Sequence, residues 1–148
     1  GENILVSRIL VLPKSKSHSY GIYSHMNGKI VSLVELSGTG ESALARELAM
    51  HVAASAPEFV SSKEIPQEII EREKDIAKGQ LQGKPENIMD KMVQGKLNAY
   101  FGISCLSDQK FFKDTSKTVM QHVSEQAQQK GMPIEIVRFV RWMTGQAL

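Results

Sequence analysis

The sequence predicts an α+β fold, in which a small antiparallel sheet is packed by helices and an antiparallel helical hairpin is inserted. Three observations support this class. Strand-like apolar runs lie near both ends of the chain, an Asn-Gly pair joins two such runs, and the middle of the chain has helical apolar spacing interrupted by glycine and proline. With 148 residues, of which 41% are apolar, we expect one domain over residues 1–148.

The predicted sheet uses both ends of the chain. Residues 4–12 are almost entirely Ile, Leu and Val and stop at Pro13, which predicts a first strand. Apolar residues also recur from Ile134 to Trp142, which predicts a last strand that can join the earlier ones. The two chain ends should therefore meet in one sheet.

A β-hairpin is predicted around Asn27-Gly28. This pair separates an alternating segment, residues 20–26, from an apolar run over residues 29–36. Both central residues of a type I′ turn need positive φ, which Asn and Gly tolerate best. Together with residues 4–12, these segments predict three consecutive antiparallel strands.

An alanine-rich helix is predicted next, over residues 42–55. Leu44, Leu48 and Val52 recur at four-residue spacing with alanines beside them, so the helix presents a small face that can approach a sheet closely. Pro57 ends it, because proline lacks the N–H group that would continue the helix. We interpret this helix as a brace for the sheet rather than as a contact surface.

The middle of the chain predicts two amphipathic helices, over residues 66–82 and from Pro85 to about Cys105. Gly83 can cap the first helix and Pro85 suits the start of the second, so the chain should reverse between them. We expect this hairpin to be an insertion over about residues 64–108. Its far end should project and expose apolar surface for a protein contact. The hairpin stripe includes Ile69, Ile76, Met89, Met92, Val93 and Phe101.

A shorter, mostly polar helix is predicted over residues 118–129. Asp114 or Ser116 is the expected opening residue, because short polar side chains cap helix N-termini. Gly131 is the expected closing residue, since glycine adopts the left-handed conformation that ends many helices.

Composition excludes several classes of protein. The 18 basic and 16 acidic residues are scattered, so neither a nucleic-acid nor a membrane surface is indicated. Cys105 is the only cysteine, which excludes an internal disulfide and fits a reducing, cytoplasmic setting; we interpret it as a buried or half-buried thiol. No apolar run approaches the roughly 20 residues of a membrane span.

The sequence gives little support for an enzymatic reaction or a metal site. The four histidines lack metal-ligand spacing, and the Ser37-Gly38-Thr39-Gly40 loop lacks the lysine of a phosphate-binding loop. We therefore predict no enzyme, no metal and no cofactor. His51 is interpreted as a hydrogen-bonded core histidine. His25 lies one residue before the hairpin turn, at the rim of the sheet, and from pattern alone it is either a partner-binding residue or a solvated edge residue.

Several segments, in order along the whole chain, resemble bacterial translation elongation factor Ts. They are Gly1-Glu2-Asn3-Ile4, Tyr23-Ser24-His25, Ala49-Met50-His51-Val52-Ala53-Ala54-Ser55 with Pro57-Glu58-Phe59, Gly83-Lys84-Pro85 with Lys91-Met92-Val93-Gln94-Gly95-Lys96, Ser116-Lys117-Thr118-Val119 and Arg138-Phe139-Val140-Arg141. The resemblance implies the C-terminal core subdomain of that family, also called the dimerisation domain, with its coiled-coil hairpin.

The resemblance also implies a function and a partner. The family promotes GDP release from the GTPase elongation factor Tu, and a histidine at the position of His25 contacts domain III of that GTPase. Tyr23 and Met26 flank this position, and Phe112 is expected nearby. The family's N-terminal helical domain and the Thr-Asp-Phe-Val segment that drives exchange are not among these residues. We therefore expect docking to elongation factor Tu without appreciable acceleration of GDP release.

Two alternatives remain at this stage. The chain could be a structural module in which the helical hairpin pairs with a second copy to form a homodimer. It could also bind RNA through Lys84, Lys91, Lys96 and Lys110, but these lysines are interleaved with acidic residues and lack aromatic partners for stacking, so nucleic-acid binding ranks last.

Overall fold

The computed structural model describes residues 1–146 and has the predicted α+β class. A short 3₁₀ helix, Ser62–Glu64, precedes the second α-helix. In chain order the other elements are β1 (His18–His25), β2 (Ile30–Ser37), α1 (Ser42–Ser55), α2 (Gln67–Gln80), α3 (Glu86–Ser104), β3 (Lys110–Phe111), β4 (Asp114–Thr118), α4 (Val119–Lys130) and β5 (Ile136–Met143).

The main sheet has three antiparallel strands in the order β1-β2-β5. The hairpin between β1 and β2 is the predicted one: Asn27 and Gly28 have φ values of 55° and 85°, and the N–H of Lys29 donates to the carbonyl of Met26 at 3.3 Å. The last strand joins the sheet as predicted, because β5 pairs with β2 along its length.

The predicted first strand over residues 4–12 is wrong. This segment has no strand structure, and its side chains are largely exposed, with Ile4 83% accessible. An apolar run becomes a strand only where its backbone hydrogen-bonds to a neighbouring strand. Residues 4–12 pair with neither outer edge of the sheet, so within residues 1–146 the outer edges of β1 and β5 stay unpaired. The segment instead contacts the sheet through Arg8, whose guanidinium lies 4.3 Å from the ring centroid of Trp142.

Helix α1 covers one face of the sheet, as predicted from its alanines. It approaches so closely that a Cβ atom on Gly21 would collide with the backbone of Ala45 and Arg46. The hydroxyl of Ser32 also donates to the carbonyl of Ala49 at 2.6 Å. The core between helix and sheet comprises Val34, Leu36, Leu44, Ala45, Leu48, Ala49, Val52, Leu106, Phe111, Val119, Val123 and Ile134.

A buried carboxylate connects the three strands on the opposite face. Glu35 accepts hydrogen bonds from His18 Nδ1 at 2.6 Å and from the Tyr20 hydroxyl at 3.0 Å, and Arg138 Nε lies 2.5 Å from its second oxygen. Burial alone would raise the pKa of Glu35, but the hydrogen bonds from His18 and Tyr20 and the charge of Arg138 hold it below the usual 4.5. Glu35 is therefore ionised and bridges β1, β2 and β5.

Helices α1 and α4 end as the sequence predicts, but α4 opens differently. Ala56, with φ 45°, terminates α1 before Pro57, and Gly131, with φ 64°, terminates α4. The N-cap of α4 is Thr118, in a capping box with Gln121, and not Asp114 or Ser116. Asp114 instead accepts hydrogen bonds from the backbone N–H and the hydroxyl of Ser116, and both residues lie before Thr118, outside the first turn of the helix.

Helices α2 and α3 form a hairpin connected by residues 81–85. Their contact is a separate small core of Ala77, Leu81, Val93 and Leu97, with Met89, Met92 and Phe101 partly buried against it. Gly83 has φ 86° but lies within the turn, because α2 already ends at Gln80. Ile69 is half-buried and Ile76 is exposed, and both lie outside this core.

The base of the hairpin is fixed to the segment after α1. The N–H of Glu58 donates to the carbonyl of Ser104 at 2.9 Å, and the N–H of Leu106 donates to the carbonyl of Phe59 at the same distance. The two chain segments that enter and leave the hairpin are thus paired beside the core. None of the helices within residues 1–146 combines the length and the apolar character needed to cross a membrane.

Candidate protein-docking groove

A groove of about 340 Å³ lies where the β1–β2 turn, α1 and the β3–β4 loop meet. It brings together the four residues that the sequence singled out for partner binding, although the chain separates Tyr23 from Phe112 by most of its length. Its lining residues are Tyr23, His25, Met26, Ile30, Met50, Ala53, Ala54, Phe112 and Arg141.

The hairpin positions the first wall of the groove. Tyr23 and His25 alternate along the end of β1, so both side chains lie on the face of the sheet that α1 covers. The Tyr23 hydroxyl and His25 Nδ1 are 3.0 Å apart, and their rings are 5.8 Å apart at 35°. Met26 follows with φ 51° and is exposed, so an apolar side chain stands at the rim.

Phe112 forms the opposite wall and is 36% exposed. Its neighbour Phe111 is buried in the main core, and the two rings meet edge to face at 5.3 Å. The backbone N–H of Phe112 donates to Nδ1 of His51 at 3.2 Å. One phenylalanine therefore belongs to the core, while the next is held at the surface.

His51 lies beneath this wall and has no solvent exposure, as the sequence interpretation expected of a core histidine. Its Nε2 is 2.9 Å from Oε1 of Gln109. Burial lowers the pKa of His51 below the ordinary 6.5, only partly offset by the hydrogen bond to Gln109. The imidazole is therefore neutral at physiological pH.

Charged residues lie beside the apolar floor at two places, at Arg141, which lines the groove, and at Lys113, next to Phe112. The guanidinium of Arg141 donates to the carbonyl of Ala53 at 3.2 Å, and Lys113 pairs with Glu47 at 2.9 Å. Lys113 Nζ also lies 5.7 Å from the centroid of the Phe112 ring. An apolar centre with a polar rim is the usual anatomy of a protein–protein contact.

Comparison with known proteins identifies the family. Residues 1–146 match the model of the family described as Elongation factor TS. The chain belongs to the elongation factor Ts family. Elongation factor Ts of Protochlamydia amoebophila is 51% identical over 99% of this chain and 52% of its own length. Those of Chlamydia muridarum and Chlamydia trachomatis serovar L2 are 44% and 43% identical, each over 98% of this chain and 52% of their own length.

The chain spans about half the length of these curated elongation factor Ts relatives. The resemblance seen in the sequence is thereby confirmed as family membership. The residues quoted for that resemblance include the end of α1 and the turn of the helical hairpin, and these features are present in the structure.

Some lining residues of this elongation factor Ts family member were missed by sequence reasoning. Met50 and Ala54 lie four residues apart on α1 and form the groove floor, although α1 was interpreted only as a brace. Their spacing places them on one helix face, which was the available signal. Arg141 had no such signal, because it reaches the groove only through the pairing of β5 with β2.

Two further groups considered in the sequence are the potential metal ligands and Cys105. Within residues 1–146, no cluster of three His, Cys, Asp or Glu residues has the geometry to hold a metal ion. Cys105 is buried, as interpreted from the sequence. Burial, with the nearby charges of Asp108, Glu64 and Glu58, raises the pKa of its thiol to about 11, so the reactive thiolate is scarce at neutral pH.

Proposed function

We propose that this chain is the docking part of a cytoplasmic translation elongation factor and that its groove binds elongation factor Tu. The observation that supports this most is the convergence of Tyr23, His25, Met26 and Phe112 around one mostly apolar groove that Arg141 also lines. Family membership supports elongation factor Tu as the partner. Residues 1–148 would act as one domain, with residues 64–108 as an inserted arm.

The mechanism of such a factor is reciprocal coupling rather than catalysis. A protein that binds the nucleotide-free GTPase more tightly than the GDP form must weaken GDP binding by the same factor. No covalent step and no cofactor are needed. The groove would provide docking energy by burying Met26 and Phe112, which are already exposed and pre-positioned.

Docking without exchange is the first expected outcome. Since the exchange-driving segment of the family is not among these residues, adding the chain to elongation factor Tu loaded with a fluorescent GDP analogue should leave the release rate nearly unchanged. Stopped-flow fluorescence measures this rate, with a full-length family member as the positive control. A release rate equal to that of the full-length factor would contradict the proposal.

Replacing His25 with alanine should weaken docking. His25 is exposed at the groove rim and its ring is oriented by Tyr23, so its loss removes a pre-positioned polar contact and should reduce affinity by about tenfold. Isothermal calorimetry with elongation factor Tu measures this. Met120→Ala is the matched control, because Met120 is half-exposed on α4, outside the groove. Equal affinities of the His25→Ala variant and the unmodified chain would return His25 to the role of a solvated edge residue.

A second candidate function is self-association through the helical hairpin. It is favoured by the exposure of Ile76 and Ile103, the latter 72% accessible, on one side of the α2–α3 pair. Sedimentation equilibrium over a range of concentrations distinguishes the two proposals. A dimer lost on Ile103→Glu substitution would support self-association, whereas a monomer at all concentrations would exclude it.

A further inference from the structure

His51 is a fully buried residue whose two ring nitrogens have different, fixed partners. The N–H of Phe112 can only donate, so Nδ1 of His51 accepts that hydrogen bond, at 3.2 Å. The proton of the neutral ring then lies on Nε2, which donates to Oε1 of Gln109 at 2.9 Å. The tautomer of His51 is thus determined by the backbone of Phe112.

Gln109 holds the other side of the ring. Its amide nitrogen donates to the carbonyl of Ile103 at 2.6 Å and to the carbonyl of Ser55 at 3.4 Å. Because both carbonyls only accept, the amide oxygen must face His51. The connected groups therefore extend from the ends of α1 and α3 to the loop that carries Phe112.

We propose that His51 is a positioning residue for partner docking, which holds the Phe112 wall of the groove through the hydrogen bond to its backbone. Phe112 lies between the short strands β3 and β4, and its N–H group uses a side chain as its acceptor. The His51 ring also contacts the Phe112 ring edge to face, at 5.8 Å and 61°. Loss of the acceptor would free both backbone and ring at this wall. The docking part of this inference rests on the proposed function.

A residue that merely fills the core does not need an acceptor at Nδ1, and this difference can be tested with two substitutions. In His51→Asn, the side-chain oxygen can occupy the place of Nδ1 and accept from Phe112, while the contact with Gln109 is lost. In His51→Gln, the longer amide can reach Gln109 as a donor, while Phe112 loses its acceptor. The pair therefore separates the two hydrogen bonds of one ring.

The first measurement uses the unmodified chain. A long-range ¹H–¹⁵N spectrum should find the His51 proton on Nε2, with a scalar coupling across the hydrogen bond between Nδ1 and the Phe112 amide. A proton on Nδ1 at neutral pH would overturn the proposal, whether or not either variant folds.

The second measurement compares the variants. Hydrogen exchange of the Phe112 amide should be about tenfold faster in His51→Gln than in His51→Asn. Calorimetry with elongation factor Tu should find His51→Asn within about threefold of the unmodified chain and His51→Gln weakened about tenfold. Equal exchange rates in the two variants would overturn the positioning role itself. If the unmodified chain failed to bind, the proposed function would fall and, with it, the docking part of this inference, while the exchange rates would still decide whether His51 positions Phe112.

Discussion

Replacing Phe111 with alanine is expected to destabilise the fold by about 3–5 kcal/mol. The Phe111 ring is 2% exposed and belongs to the main core. It stacks on His122 with centroids 4.1 Å apart at 13° and lies beside His51 at 6.1 Å. Removing the ring would leave a cavity between α1 and α4 that backbone movement can only partly fill. Urea unfolding monitored by circular dichroism measures the loss.

Phe112→Ala is the matched control for this prediction. It removes the same ring from the adjacent residue, but Phe112 is 36% exposed, so the cost in unfolding free energy should be less than half that of Phe111→Ala. Comparable losses for the two variants would contradict the assignment of Phe111 to the core and Phe112 to the surface.

Gly21→Ala is expected to destabilise the fold by about 3 kcal/mol, at the upper end of overpacking effects. The added Cβ would collide with backbone atoms of Ala45 and Arg46, which cannot rotate away as a flexible side chain can. Helix α1 would have to move off the sheet, which separates the layers of the main core. Thermal and urea unfolding of the purified variant check this.

Gly95→Ala is its control. Gly95 lies within α3, is exposed, and an added Cβ would meet no atom within 4 Å. The substitution should raise stability by about 0.5–1 kcal/mol, because alanine favours a helix interior over glycine. If Gly21→Ala were as stable as the unmodified chain, the close packing of α1 on β1 would be refuted.

The sequence correctly predicted those helices and turns whose determining residues lie within the element itself. The bounds of α1 follow from leucine and alanine spacing and from Pro57, and the β1–β2 turn follows from Asn27-Gly28. The strand predicted over residues 4–12 was wrong, because an apolar composition indicates only that a segment is able to pair. It does not indicate whether another strand lies beside that segment. The predicted opening of α4 was wrong although a local signal was present, because Thr118 and Gln121 have the spacing of a capping box.

The candidate site was predicted in part, and mainly through family resemblance. His25 could be placed at a sheet rim from the hairpin alone, but its proximity to Phe112 depends on how β3 and β4 pack against α1. The hydrogen bond between His51 and Gln109 joins residues 58 positions apart, and no spacing rule indicates it. Tertiary packing creates these contacts, so one sequence cannot reveal them.

The most direct test of the docking proposal uses the methionine methyl groups. In a chain labelled with ¹³C-methyl methionine, Met26 and Met50 report on the groove, and Met120, exposed on α4, reports on a surface outside it. Titration with unlabelled elongation factor Tu should shift or broaden the Met26 and Met50 methyl resonances, while the chemical shift of the Met120 methyl resonance should not change. A perturbed Met120 resonance with unperturbed Met26 and Met50 resonances would contradict docking through the groove.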